Sequence, residues 1–202
     1  MYKRQTASDA ATAAQANTIA GFEKPVVYSV SDTASAIAGA NVGARNEAVN
    51  ITATDAATVA EATIIEAATN SGNNTYDITD SAANLAASTN EVLTLGGTIT
   101  ASSAATAVQA NTIAGFEKPV VYSVSDTASA IAGANAGARN EAVNITASGT
   151  ANVAQATTIQ GASNNGSTTI ESIEDSAANL AASTNPVSVS YTHLRAHETK
   201  RN

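Results

Sequence analysis

The sequence predicts an α/β fold, a solenoid of about eight strand-helix repeats of ~23 residues with a parallel sheet. Three observations predict it: a long internal duplication, a shorter repeat inside it, and a hydrophobic period that changes from strand-like to helix-like within every short unit. The duplication is direct. Thr12 to Ala53 recurs as Thr106 to Ala147, with only Ala14/Val108 and Val42/Ala136 differing. A looser match continues from Asp80-Ser81-Ala82-Ala83-Asn84-Leu85 to Asp175-Ser176-Ala177-Ala178-Asn179-Leu180.

The short repeat emerges when the chain is aligned on one polar or small position, held by Asp9, Asp32, Asp55, Asp80, Ser103, Asp126, Gly149 and Asp175, at steps of 23, 23, 25, 23, 23, 23 and 26. Two and four residues before this marker the side chains are mainly apolar: Tyr28/Val30, Ile51/Ala53, Tyr76/Ile78, Ile99/Ala101, Tyr122/Val124 and Ile145/Ala147. One and three residues before it stand Ser29/Ser31, Thr52/Thr54, Thr100/Ser102, Ser123/Ser125 and Thr146/Ser148. Alternation with period two and many β-branched residues describes a half-buried strand. The Tyr28, Ile51, Tyr76, Ile99, Tyr122, Ile145 series then reads as one ladder of core residues. The last unit departs, with Glu171 and Glu174 in the pattern, and is expected to carry a bulge or register shift.

After the marker an Ala recurs in every unit (Ala11, Ala34, Ala57, Ala82, Ala105, Ala128, Ala151, Ala177), followed by an aliphatic such as Ile37, Val59, Leu85, Val108 or Ile131. Alanine favours helix and lets a short helix lie close on a sheet. The marker residues Asp9, Asp32, Asp55, Asp80, Ser103, Asp126 and Asp175 are accordingly expected to be helix N-caps. Asn- and Gly-rich stretches, Asn70-Ser71-Gly72-Asn73-Asn74 and Asn164-Asn165-Gly166-Ser167, supply turns back to the next strand. Strand, helix and turn in so few residues imply parallel strands joined by right-handed crossovers. The competing architecture is an all-β solenoid, because β-branched residues also occupy the expected helices, as in Ala62-Thr63-Ile64-Ile65.

The two ends do not follow the pattern. Tyr2-Lys3-Arg4-Gln5 and Val189-Ser190-Tyr191-Thr192-His193-Leu194 resemble translations of the two orientations of a transposon end used in sequencing-library preparation, TAT AAG AGA CAG and GTC TCT TAT ACA CAT CT. The expected organisation is therefore an adapter-like 1–5, a repeat array over 6–188 (long repeats 12–105 and 106–188) and an adapter-like 189–202. The whole chain carries a net charge of −8. Both histidines lie in the tail, and the array keeps four bases, Lys24, Arg45, Lys118 and Arg139, against sixteen acids. So acidic a surface argues against nucleic acid. Without Cys or a histidine in the array, thiol nucleophiles, imidazole bases and Cys/His zinc sites are not expected, nor is an enzyme. No apolar run is long enough to span a membrane.

Two columns invite a ligand. The aspartates raise calcium, which asks for about six to eight oxygens, while the nonapeptide calcium repeat asks for Gly-Gly-x-Gly-x-Asp. Gly96-Gly97-Thr98 approaches that motif and lacks the rest, so capping is the reading carried forward, with no cofactor expected. The hydroxyl columns Ser29, Ser31, Thr52, Thr54, Thr100, Ser102, Ser123, Ser125, Thr146 and Ser148 form a candidate surface-binding array that would suit ice, carbohydrate or another surface. Gly43-Ala44-Arg45-Asn46-Glu47 and its copy Gly137-Ala138-Arg139-Asn140-Glu141 read as surface turns.

The units Tyr-Ser-Val-Ser-Asp-Thr-Ala-Ser-Ala-Ile-Ala (28–38) and Tyr-Asp-Ile-Thr-Asp-Ser-Ala-Ala-Asn-Leu-Ala (76–86) resemble repeats of very large bacterial secreted or cell-surface, adhesin-like proteins. That resemblance implies an extracellular or cell-surface, non-catalytic spacer or scaffold, whose partners are neighbouring repeats of a parent protein and cell or environmental surfaces. It brings no catalytic residues with it.

Overall fold

The computed structural model describes residues 5–183, and over them the chain is mixed α/β, with short helices between short strands that pair only in parallel. The described elements run β1 (Gln5–Thr6), α1 (Ala13–Ile19), β2 (Val26–Val27), β3 (Val30–Asp32), α2 (Ala34–Gly39), α3 (Val42–Asn46), β4 (Ile51–Ala53) and α4 (Val59–Glu66). They continue with β5 (Asn74–Thr75), β6 (Ile78–Asp80), α5 (Ala82–Ala87), α6 (Asn90–Leu95), β7 (Ile99–Ala101), α7 (Ala107–Ile113), β8 (Val120–Val121) and β9 (Val124–Thr127). Last come α8 (Ala128–Gly133), α9 (Ala136–Asn140), β10 (Ile145–Ala151), α10 (Val153–Gln160), β11 (Thr168–Ile173) and α11 (Ala177–Ala182). The expected α/β class is therefore correct. The all-β alternative is not, since Ala62-Thr63-Ile64-Ile65 lies inside α4. Of the two adapter-like ends, Gln5 belongs to β1 and the remainder lies outside the described residues.

Pairing always joins one unit to the next. β1 pairs β2; β4 lies between β3 and β5, β7 between β6 and β8, and β10 between β9 and β11. The register corrects the expected single ladder. Ile51 faces Val30, Ile99 faces Ile78 and Ile145 faces Val124, two residues away from the tyrosines that share their column in the marker alignment.

The cause is that two kinds of unit alternate. In units marked by Asp9, Asp55, Ser103 and Gly149 the chain stays extended two residues longer, so that Ala11, Ala57 and Ala105 form bridges to Val30, Ile78 and Val124, and Ala151 pairs Ile173. One helix follows. In units marked by Asp32, Asp80 and Asp126 a helix starts at once, on Ala34, Ala82 or Ala128, and a second short helix follows it. The same alanine column thus closes a strand in one unit and opens a helix in the next.

The tyrosines belong to the second kind of unit. Each sits where the chain steps between two strand pieces, buried at 2% exposure, and crosses the core to a helix. The Tyr28 hydroxyl donates to the Ala44 carbonyl at 2.9 Å, that of Tyr122 to Ala138 at 3.0 Å, and that of Tyr76 to Val92 at 3.3 Å. They are core residues, as expected, each with its polar end satisfied. Burial, followed by the charge of Glu141, pushes the Tyr122 hydroxyl up to about 12. Burial also raises Tyr28, ahead of the charge of Glu47, and Tyr76, ahead of its interaction with Glu66. The remaining bulk comes from one aliphatic per main helix, Ile37, Ile65, Leu85, Ile113, Ile131 and Ile159, and from inward strand residues such as Ile51, Ile78, Ile99 and Ile145, set among buried alanines.

The expected irregularity in the last unit is present. The β10–β11 register slips between Ala147 and Thr150, around Gly149, whose φ of +71° lies in the left-handed region that favours glycine. The Gly149 N–H donates to Glu171 at 2.5 Å.

Candidate functional site

The acidic column is the most regular polar feature, and its work differs from the expected one. The N-caps of the helix that follows each marker are Thr12, Thr33, Thr58, Ser81, Thr106, Thr127, Asn152 and Ser176, one or three residues beyond the markers, each accepting from the N–H three residues on. In α1, α4, α7 and α10 the partner Gln15, Glu61, Gln109 or Gln155 reaches back to complete a capping box. That spacing, Thr-x-x-Gln/Glu, was the available sequence signal for the caps.

The marker side chains instead reach the preceding unit. Asp32 accepts from Ala13 N–H at 3.0 Å, Asp55 from Ala34 at 2.7 Å, Asp80 from Val59 at 3.0 Å and Ser103 from Ala82 at 3.1 Å. Asp126 accepts from Ala107 at 3.0 Å and Asp175 from Val153 at 3.1 Å. Each acceptor satisfies the first helical N–H of the helix one unit back, a group with no partner inside its own helix. The second carboxylate oxygen of Asp32, Asp80, Asp126 and Asp175 takes the N–H of the following residue. Asp9, in the first described unit, receives the Ser8 hydroxyl at 3.3 Å.

Asparagines fasten the joints in the other direction. Asn17, Asn46, Asn111 and Asn140 accept from the N–H groups of Asn41, Thr69, Asn135 and Ser163 at 2.8–3.1 Å. Along the turn before the strands, Asn50 accepts from Asn73 at 3.0 Å, Asp77 from Thr98 at 2.6 Å and Asn144 from Ser167 at 3.0 Å. Beside these three acceptors stand Gly72, Gly97 and Gly166, where a Cβ would overlap the acceptor oxygen.

Two arginines complete the set. Arg45 is 9% exposed and sends Nη1 to the carbonyls of Ile37 (3.3 Å), Ala38 (3.0 Å) and Ala40 at the end of α2. Arg139 does the same for Ile131, Ala132 and Ala134 at the end of α8. A cation among carbonyls at a helix C-terminus satisfies groups left unpaired there and the helix dipole together. Arg45 is therefore a buried capping residue and not the surface residue expected.

The candidate hydroxyl array lies outward, with none of its ten members buried. Its rows are short and offset. Ser31, Thr52 and Thr75 align, as do Ser125, Thr146 and Thr169, whereas the row of Thr79 and Thr100 ends on Val121. Ser29 and Ser123 are occupied by the N–H groups of Asn50 and Asn144 at 3.3 Å, and Ser148 donates to the Asp126 carbonyl at 3.2 Å. Thr54 and Ser102 lie just past their strands and donate backbone N–H groups to the carbonyls of Asp32 and Asp80.

Two of these carboxylates are held in the charged form by their partners. Burial alone would raise the Asp80 carboxyl, but the Asn84 amide and the N–H groups of Val59 and Ser81 outweigh it, and its pKa lies below the ordinary aspartate value. The Asn179 amide, with the N–H groups of Val153 and Ser176, likewise holds Asp175 low. A carboxyl depressed in the folded state contributes stability above its unfolded pKa and loses it as pH falls through the folded one. Urea unfolding should show Asp80→Asn less stable than the parent at neutral pH, with the difference narrowing below about pH 4. A difference constant across that range would refute a role for the charge.

Among the described residues no three His, Cys, Asp or Glu side chains gather to hold a metal ion, and no helix is long and apolar enough to cross a membrane. No family model, curated protein or solved structure matches the chain.

Proposed function

We propose that the chain is a non-catalytic spacer or scaffold segment, a solenoid whose units stack one upon the next, within a bacterial extracellular or cell-surface, adhesin-like protein. The observation that carries this reading is the use made of the regular polar column, which fastens each unit to its neighbour and turns no common face toward a ligand. Support also comes from the contacts between elements, whose main pairs run within a unit or to the adjacent one. Stability in such an array is a sum of unit and nearest-neighbour terms, which suits a rod of variable length.

The hydroxyl rows favour a second reading, a module that binds ice, carbohydrate or another surface. Their offsets and the Val121 interruption weigh against one flat lattice of hydroxyls.

Circular dichroism and thermal melting, with and without millimolar calcium, test the first reading. A mixed helix and strand spectrum with an unchanged melting temperature is the expected result. Folding that requires calcium would make the aspartates metal ligands and overturn it.

A further inference from the structure

The duplication places nearly identical sequence in two settings, one at the first described unit and one in the interior. Residues 6–24 and 100–118 differ only at Asp9/Ser103 and Ala14/Val108. In the interior copy α7 packs on α5 of the preceding unit. There Ile113 is 2% exposed, and Ser103 accepts the Ala82 N–H. In the first copy Ile19 is only half-buried, and a hollow of about 340 Å³ opens beside Ala7, Asp9, Ala11 and Ile19.

The other half of that interior joint also occurs twice. Residues 80–88 and 175–183 are identical, so α5 and α11 are one helix in two places. Leu85 and Ala82 of α5 are fully buried. Leu180 of α11 is 45% exposed, and α11 has no buried residue.

We propose that α11 of one copy docks on α1 of a second copy, repeating between molecules the α5–α7 joint that each molecule contains. Leu180 then occupies the place of Leu85 against Ile19, and Asp9 stands where Ser103 meets the helix start. Neither α1 nor α11 carries a charged side chain, so the apolar contact itself sets no like charges against each other. The contact is head-to-tail, and a heterologous contact that does not close builds open chains instead of a sealed dimer. The inference needs only the interior joint and is independent of the spacer role.

Sedimentation velocity on the full chain, up to about 1 mM, tests it. Mass should rise with concentration beyond that of a dimer. Leu180→Asp, at an exposed position that leaves folding intact, should abolish the rise, and Ile19→Asp should do the same. Mixing the two variants should give a 1:1 complex and nothing larger, because one retains a working α1 face and the other a working α11 face. A parent that stays monomeric throughout overturns the proposal. So does Leu180→Asp associating like the parent, whether or not Ile19→Asp folds.

Discussion

Alanine in place of Ile145 is expected to lower the free energy of unfolding by about 3–4 kcal/mol, measured by urea denaturation. Ile145 is fully buried at the start of β10, facing Val124 on one side and Thr168 on the other. Removing a buried aliphatic loses its transfer free energy and leaves a cavity whose cost depends on how far the surroundings collapse. Here collapse is poor. Much of the buried core is alanine, whose side chain has no rotamers with which to fill space, and both flanking strands are fixed by their ladders. Val108→Ala is the matched control. Val108 is 74% exposed, and the first copy of the duplication carries Ala14 at this position, so a change within about 0.5 kcal/mol is expected. Equal losses for the two variants would contradict a core that depends on Ile145.

What could be read from the sequence was whatever depends on near neighbours. Alternation placed Ile51, Ile78, Ile99 and Ile145 inward and the hydroxyls outward, and the structure agrees. The pairing register was hidden because the aligned marker occurs in two kinds of unit. Ala57 and Ala82 occupy one column in sequence, yet one forms a strand bridge and the other opens a helix. The true destination of the aspartates lies 19 to 22 residues back along the chain, as in Asp32 to Ala13 and Asp175 to Val153, and no local pattern encodes it. The caps were legible in Thr12-x-x-Gln15 and its equivalents, but the aspartates are the more regular column and hide them. Arg45 looks like a surface residue among polar neighbours. It is buried because the carbonyls ending α2 need a donor, a requirement that appears only once the helix boundary is known.

The second large effect is expected at Gly72, where alanine should cost about 2–4 kcal/mol through overlap at a site that cannot yield. An added Cβ would meet both the Asn50 side-chain oxygen and the Val49 carbonyl, and the second of these is backbone. Relief would require moving the chain off the acceptor, which also breaks the Asn73 N–H bond to Asn50. The two losses are linked, so a double-mutant cycle separates them. Asn50→Ala removes the acceptor in advance, and Gly72→Ala on that background should cost roughly 1 kcal/mol less than in the parent, while the clash with Val49 persists. Gly39 supplies the opposite sign. It lies in α2, and no atom comes within 4 Å of the place a Cβ would take, so Gly39→Ala should stabilise by about 0.5–1 kcal/mol. Because the main contacts run only between adjacent units, weakening the Gly72 joint is also expected to lower the denaturant slope, as the two sides begin to unfold separately. An unchanged slope with full loss of stability would mean that the joints on either side of Asn50 hold the array together without it.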